Sequence, residues 1–284
     1  MSELKENRLP RPCYDDVYVR LVKRREEIEA SQALRYQVFY EECGAMPTED
    51  MARQRRDFDS YDEYTDHLVV LDPSHGVGID RIVGTYRLLR QDVVEGNDLE
   101  FYTAQEFDIR PIYDCGAKLL ELGRSCVLPE YRTRPVLQLL WQGIVDYVVE
   151  HDIELMFGCA SFHGTDVNAI KEQLSYLYHY HLAESSLCPK VLDQYYVEMN
   201  ILPKESLDVK KIFSSLPPLI KGYLRIGASI GHGAYIDKQF NTIDVCIVMP
   251  TFKITDRYRK HLQRKVDKSI PDTDFRKSDK NENV

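Results

Sequence analysis

The pattern of apolar and polar positions opens with a short apolar-rich run, "DVYVRL" (Asp16 to Leu21), which reads as a first strand. The spacing then turns helical. From Arg25 to Cys43 the apolar residues Ala30, Ala33, Leu34 and Val38 recur on one face, so this segment is expected to be a helix. "TDHLVVLD" and "DRIVGTYRLLR" read as two strands, with "PSHGVG" as the turn between them. Lys118 to Val127 is a fourth strand. After it, Val136, Leu139, Leu140, Tyr147 and Val148 form the apolar stripe of a helix. Pro135 suits its first turn, where no backbone N–H is needed. "ELMFGCASF" is a fifth strand, and "GTDVNAIKEQLSYLYHYHLA" a helix capped by Thr165 or Asp166, with Val167, Ile170, Leu174 and Leu177 inward. The last strand is "NTIDVCIVMP", reached through "LPPLIKGYLRIG". No internal repeat is present. The pattern predicts one mixed α/β (α+β) domain over residues 14–265, including a C-terminal extension from about 205. Residues 1–13 and 266–284 read as polar, solvated ends.

Composition narrows the function classes. A net charge of −9 over 284 residues argues against broad electrostatic binding to nucleic acid, so an acidic partner would have to meet a local arginine cluster. The seven cysteines are scattered, odd in number and without a C-x-x-C pair, which points away from a zinc site or disulfide framework and toward a reducing, cytoplasmic setting. "MSELKENRLPRP" has no apolar core of the secretory kind, and no apolar run approaches the ~18 residues of a spanning helix.

Several residues carry candidate chemistry. Helices that follow strands commonly bind phosphates at their N-termini, through a glycine-rich turn. Here the turn is Tyr131, Arg132, Thr133, Arg134 and Pro135, with no glycine. Glu121 lies among Leu119, Leu120 and Leu122, where a charge needs a partner or a purpose. One reading gives it proton removal from an attacking ammonium. The other pairs it with Arg124 or Arg87. Strict alternation puts Glu121 and Arg124 on opposite faces, and a bulge near Gly123 would bring them together and splay the strands. His163 follows the fifth strand, as a base or as a hydrogen-bonded structural residue. Asp57, Asp59 and Asp62 form an acidic run, and Arg53, Arg55 and Arg56 a basic one; each also fits an ordinary solvated surface. Ser125 and Cys126 show no Ser–His–Asp spacing, so covalent catalysis is not expected.

The order of elements matches the GNAT acyltransferase superfamily. Arg35, Val38 and Phe39 in "RYQVFYEECG", then Asp57, Asp59, Tyr61 and Asp62, then Gly84 and Arg87, then Glu121 and Arg124 in "ELGRSCV" form a succession that resembles the acyl-homoserine-lactone synthases. "LELGRSCVLPEYRT", "FGCASFHGTD" and "LPPLIKGYLRIGASIGHGAYIDKQFNTIDVCIVMP" look like segments of the L-ornithine Nα-acyltransferases of ornithine lipid biosynthesis, and that resemblance spans roughly residues 15 to 260. It implies transfer of a long, 3-hydroxylated acyl group from acyl carrier protein to the α-amine of L-ornithine, giving lyso-ornithine lipid. It implies catalytic roles for Glu121, Arg124 and His163, and acceptor contacts from Asp57, Asp59, Asp62 and Arg87. Arg132 and Arg134, with Arg53, Arg55 and Arg56, would meet phosphopantetheine and the acidic carrier. No metal or redox cofactor is implied, since phosphopantetheine arrives on the carrier. Two rivals stand beside this reading: a signal synthase that acylates S-adenosylmethionine, and a non-catalytic GNAT-like module that binds carrier protein. A bilayer-seeking product also raises peripheral contact with an anionic membrane. Leu216, Leu219, Ile220, Tyr223, Leu224 and Ile226, with Lys221 and Arg225, either make that contact or cover the sheet.

Overall fold

Residues 16–76 and 81–252 are described by the computed structural model, and the polar ends at 1–13 and 266–284 lie outside them, as do residues 77–78 of the turn between the second and third strands. In chain order, β1 (Tyr18–Leu21), α1 (Arg25–Tyr36), α2 (Glu49–Gln54), β2 (Asp66–Leu71), β3 (Ile82–Arg90), α3 (Gln91–Gly96), β4 (Phe107–Asp108) and α4 (Arg110–Tyr113) come first. They are followed by β5 (Leu119–Val127), α5 (Arg134–Glu150), β6 (Leu155–His163), α6 (Lys171–His181) and β7 (Lys190–Val191). The chain continues through α7 (Val209–Ser215), α8 (Pro218–Ile226), β8 (Ser229–Ile230), β9 (Tyr235–Asp237) and β10 (Thr242–Pro250).

One sheet runs β1-β2-β3-β5-β6-β10-β8, with β9 also paired to β10, while β4 and β7 form a separate two-stranded sheet. Among the described strands of the large sheet only β5 and β6 pair in parallel. The crossover between them is α5, which packs back over β1, β2 and β3. Gly143 permits that approach: a Cβ there would meet the side chains of Leu68 and Val19 at 2.9 Å. Alternation along β5 divides the interior. Leu120 and Leu122 enter the larger core with residues of α5, α6 and α8. Leu119 joins a smaller one with Phe101, Phe107, Ile112, Phe157 and Cys246. Burying a side chain of this size contributes roughly 1.5–3 kcal/mol, so these two cores hold the sheet in place.

All six strands expected from the pattern are strands, with β1 starting two residues late. The helix expected over 25–43 is α-helical only to Tyr36 and continues as a π-helix, Gln37–Glu42. The wider turn stacks Tyr36 on Tyr40 at 5.1 Å and directs the Tyr40 hydroxyl to Asp57 Oδ1 at 2.9 Å. One added residue per turn leaves no mark in a 3.6-residue period. Over 164–183, Asp166 caps a short 3₁₀ turn, Val167–Ile170, by accepting from the Asn168 N–H, and α6 follows. The apolar residues offered as a membrane contact mostly face inward. Leu216, Ile220, Tyr223 and Leu224 are buried, and the Tyr223 hydroxyl bonds that of Tyr86 at 2.7 Å. Lys221 donates to the Ser214 carbonyl and Arg225 lies over the Phe213 ring, so this segment covers the sheet. Among the described residues no helix is long and apolar enough to cross a membrane.

Candidate active site

β3 lies centrally and is buried along nearly its whole length, so Arg87 on it must be neutralised from within. The loop before β2 does this. Arg87 Nη1 donates to Asp59 Oδ1 at 2.6 Å and to Asp62 Oδ1 at 3.3 Å. Arg35 of α1, 1 % exposed, donates to Asp57 Oδ2 at 2.7 Å and reaches both oxygens of Asp62 at 2.9 Å. Gln32 adds a bond to Asp62 Oδ2, and Asp59 and Asp62 cap the 3₁₀ turn between them reciprocally. Burial alone would raise both inner carboxyls. Against it, Arg124 and Arg35 hold Asp57 below the ordinary aspartate range, and Arg35 and Arg87 hold Asp62 well below it. This corrects the expectation that Asp57, Asp59 and Asp62 await a cationic substrate. Asp57 and Asp62 are buried and taken up by arginines, while Asp59, partly exposed, bonds Arg87 and Arg124.

β5 carries the next feature. Its ladder to β6 covers only Leu119 to Glu121, opposite Leu155 to Phe157, and the two strands separate beyond that point. The pairing to β3 slips between Thr85 and Arg87, and Arg124 takes a left-handed conformation at φ 49°. The bulge expected near Gly123 is therefore present, together with the splay. Just past the last pair, Gly158 at φ 152° passes close to the β5 backbone, where a Cβ would lie 2.2 Å from the Leu122 carbonyl oxygen. Glu121 and Arg124 nevertheless do not pair. Glu121 accepts from the Tyr102 N–H at 2.9 Å, the Thr103 N–H at 2.6 Å and the Thr103 hydroxyl. Burial pushes its carboxyl up, and these donors work against that shift. Arg124 instead lies between the Tyr102 and Phe240 rings, at 4.8 and 4.6 Å, and donates to Asp59 at 3.2 Å.

On the same face as Glu121 lie three acids of a different kind. Glu106, Asp237 and Asp244 are 4, 7 and 6 % exposed, and one carboxylate oxygen from each falls within 4.8 Å of the others. No ion pair among the described residues involves any of them. Burial, and then the charge of Asp244, raises the Glu106 carboxyl; burial raises that of Asp244. The Cys159 thiol donates to Glu106 at 3.2 Å and lies 3.7 Å from the Thr103 hydroxyl. Side chains thus run continuously from Glu121 through Thr103 and Cys159 to the acids. Burial pushes the Cys126 and Cys159 thiols up, which suits neither to nucleophilic work.

Comparison with known proteins decides the family. Residues 34–142 match the acetyltransferase (GNAT) domain. An L-ornithine N(alpha)-acyltransferase of Agrobacterium fabrum is 47 % identical over 242 residues, spanning 84 % of this chain and 82 % of that one. One from Rhodobacter capsulatus is 41 % identical over 250 residues, spanning 88 % and 95 %. The chain belongs to the L-ornithine Nα-acyltransferase family. Among solved structures, a coenzyme A-dependent acyl-homoserine lactone synthase superposes with a TM-score of 0.46 at 14 % identity, covering 85 % of this chain and 89 % of that one.

For this acyltransferase family member, the cleft between β5 and β6 is the opening in the sheet, and the remaining candidates sit around or away from its mouth. Arg132 holds Glu42 through both guanidinium nitrogens and donates from Nε to the Val127 carbonyl. Arg134 starts α5, and its side chain lies outside what is described. His163 ends β6, exposed, near enough to Glu42 to act on its charge. Arg53 pairs with Asp50, Arg55 with Glu41 and Arg56 with Glu29, so the basic run is locally balanced by acids. An acidic carrier there would have to compete with these partners. The sequence reading missed Glu106, Asp237, Asp244 and Tyr102, and gave Arg35 no role. Asp244 was within reach of it: like Glu121, it is an acid inside an apolar strand. Glu106 and Asp237 sit in short polar stretches without such a signal.

Proposed function

We propose that this acyltransferase moves a 3-hydroxyacyl group from the thioester of acyl carrier protein to the α-amine of L-ornithine, releasing lyso-ornithine lipid. Beyond family membership, the observation that carries this reading is the β5–β6 splay, on the face of the sheet where three buried carboxylates lie together without an ion pair among the described residues. A pantetheine arm entering between the strands brings the thioester carbonyl to peptide groups of β5 that β6 has ceased to bond. Their N–H groups stabilise the tetrahedral oxyanion. The α-nitrogen, having lost a proton, attacks the thioester carbon; the C–N bond forms, the C–S bond breaks, and sulfur leaves as the thiolate. Of the two protons lost by the ammonium, one ends on sulfur and the other goes to solvent. Glu121 and His163 are the base-capable groups on the two strands of the cleft. The turn before α5 lacks the glycines that would bring backbone amides against a pyrophosphate, which favours the single phosphodiester of a carrier-bound arm over coenzyme A.

The test is kcat/KM for one acyl chain on the two donors. The carrier-bound thioester is expected to exceed the coenzyme A thioester by at least about tenfold, and its advantage to shrink as salt rises. Equal values at all salt concentrations would remove the carrier from the reading. Mass spectrometry of lipids from a host expressing the chain is expected to show new ornithine-containing species.

A further inference from the structure

Glu106, Asp237 and Asp244 are the opposite of the aspartates around Arg35. Those are ion-paired with three arginines; these make no ion pair among the described residues, Arg124 reaching Glu106 and Asp244 only through its charge and Asp237 accepting from the Phe240 N–H at 2.9 Å. Burying unpaired carboxylates together is costly, and such a cluster persists in a fold when something else supplies the positive charge. One further polar group faces the same place. The Thr242 hydroxyl, on a side chain 6 % exposed, and Asp244 Oδ1 are both buried without a hydrogen bond of good geometry, while the Thr242 and Ser161 hydroxyls lie close enough to the Asp244 carboxyl to work against the rise that burial causes. Thr242 lies two residues before Asp244 on β10, hence on the same face, and opposite Asp237 of β9.

Resting on the acyltransferase reading above, we propose that Glu106, Asp237, Asp244 and Thr242 form the subsite for the side-chain ammonium of a basic amino acid, so that its α-amine is the one left facing the thioester. Spacing admits an ammonium. Three N–H···O bonds of about 2.8 Å from one tetrahedral nitrogen set their acceptors about 4.6 Å apart. The carboxylate oxygens here all lie within 4.8 Å of one another, so one nitrogen can reach all three, and the metal arm of the test below separates an ammonium from a divalent cation. Position supports the acceptor. The Cys159–Thr103–Glu121 chain links the acids to the last residue of β5 that β6 still pairs, where the cleft begins. Ser161 and His163, the β6 neighbours of Asp244 and Thr242, are exposed, so this face of the sheet meets solvent next to the acids. Tyr235, opposite Asp244 on β9, offers a half-buried ring to the methylene chain.

The test compares ornithine with norvaline, which keeps the carbon chain and lacks only the terminal ammonium. Calorimetry without any acyl donor is expected to show ornithine binding the native chain at least about a hundredfold tighter. Glu106→Gln and Asp244→Asn should each shrink that ratio by about tenfold or more, and Thr242→Val by a few-fold. Thermal unfolding without ligand supplies a second sign. Removing one buried, unpaired acid relieves repulsion, so both carboxylate variants are expected to melt higher than the native chain. An unchanged ornithine-to-norvaline ratio in folded variants overturns the proposal. So does a lower melting point in both, which marks the acids as structural, or stabilisation by magnesium, manganese or calcium where ornithine gives none. If ornithine binds as expected but accepts no acyl group from any thioester, the subsite stands and the proposed activity falls. If ornithine is acylated with a selectivity that neither variant touches, the activity stands and the subsite falls.

Discussion

Arg35→Met is expected to lower the unfolding free energy by about 3–5 kcal/mol, the cost of removing one partner from a buried ionic network. Arg35 is 1 % exposed and makes all its side-chain bonds to Asp57 and Asp62. Methionine fills a similar volume, so the loss is electrostatic: two buried carboxylates lose their main donor. The sign against pH follows from the same geometry. Both carboxyls titrate in the folded state below the unfolded value of about 3.9. Their contribution is therefore complete above that pH and is lost as the pH falls below it toward the folded values. Urea denaturation at neutral pH should show the full deficit, and the gap between native chain and variant should narrow in acid. A deficit under about 1 kcal/mol at neutral pH would mean that Arg87 and Arg124 suffice without Arg35. Adding Asp57→Asn and Asp62→Asn to Arg35→Met should recover part of the loss, because the orphaned charges are then gone.

Glu121→Gln is expected to cut turnover by about 10²-fold while the ascending limb of the pH–rate profile survives. The carboxylate accepts three hydrogen bonds, two of them from the backbone of Tyr102 and Thr103. A glutamine turns an NH₂ toward one of those N–H groups, so the 3₁₀ turn Tyr102–Gln105 must move. That turn holds the Tyr102 ring against Arg124 and is followed directly by Glu106, hence a small shift displaces both walls of the acceptor face. Displacements of about 1 Å cost this much in rate without touching the reacting atoms. Kinetics over a wide pH range make the test. Loss of the ascending limb would assign Glu121 to proton removal, which contributes about 10²–10⁴-fold. Turnover within a factor of two of the native chain would strip it of both roles.

The sequence alone determined the long strands, the two main helices and the family, for a shared reason: each is a local signal. Alternation, helical spacing and runs such as "ELGRSCV" or "FGCASFHGTD" are complete within ten or so residues. It also exposed Glu121 and the bulge at Gly123, because an acid and a glycine stand out in an otherwise apolar strand. What it left undecided was the state of charge at each acid. Asp57, Asp59 and Asp62 read as available carboxylates, and only the packing of α1 and β3 against their loop brings Arg35 and Arg87 onto them. Glu106 follows a 3₁₀ turn, Asp237 ends the short strand β9 and Asp244 lies within the long strand β10, so nothing in the linear order joins Glu106 to the other two. Whether a carboxylate is spent on an arginine or left for a ligand depends on which cations the fold brings within a few ångströms, and that is a property of three-dimensional neighbours alone.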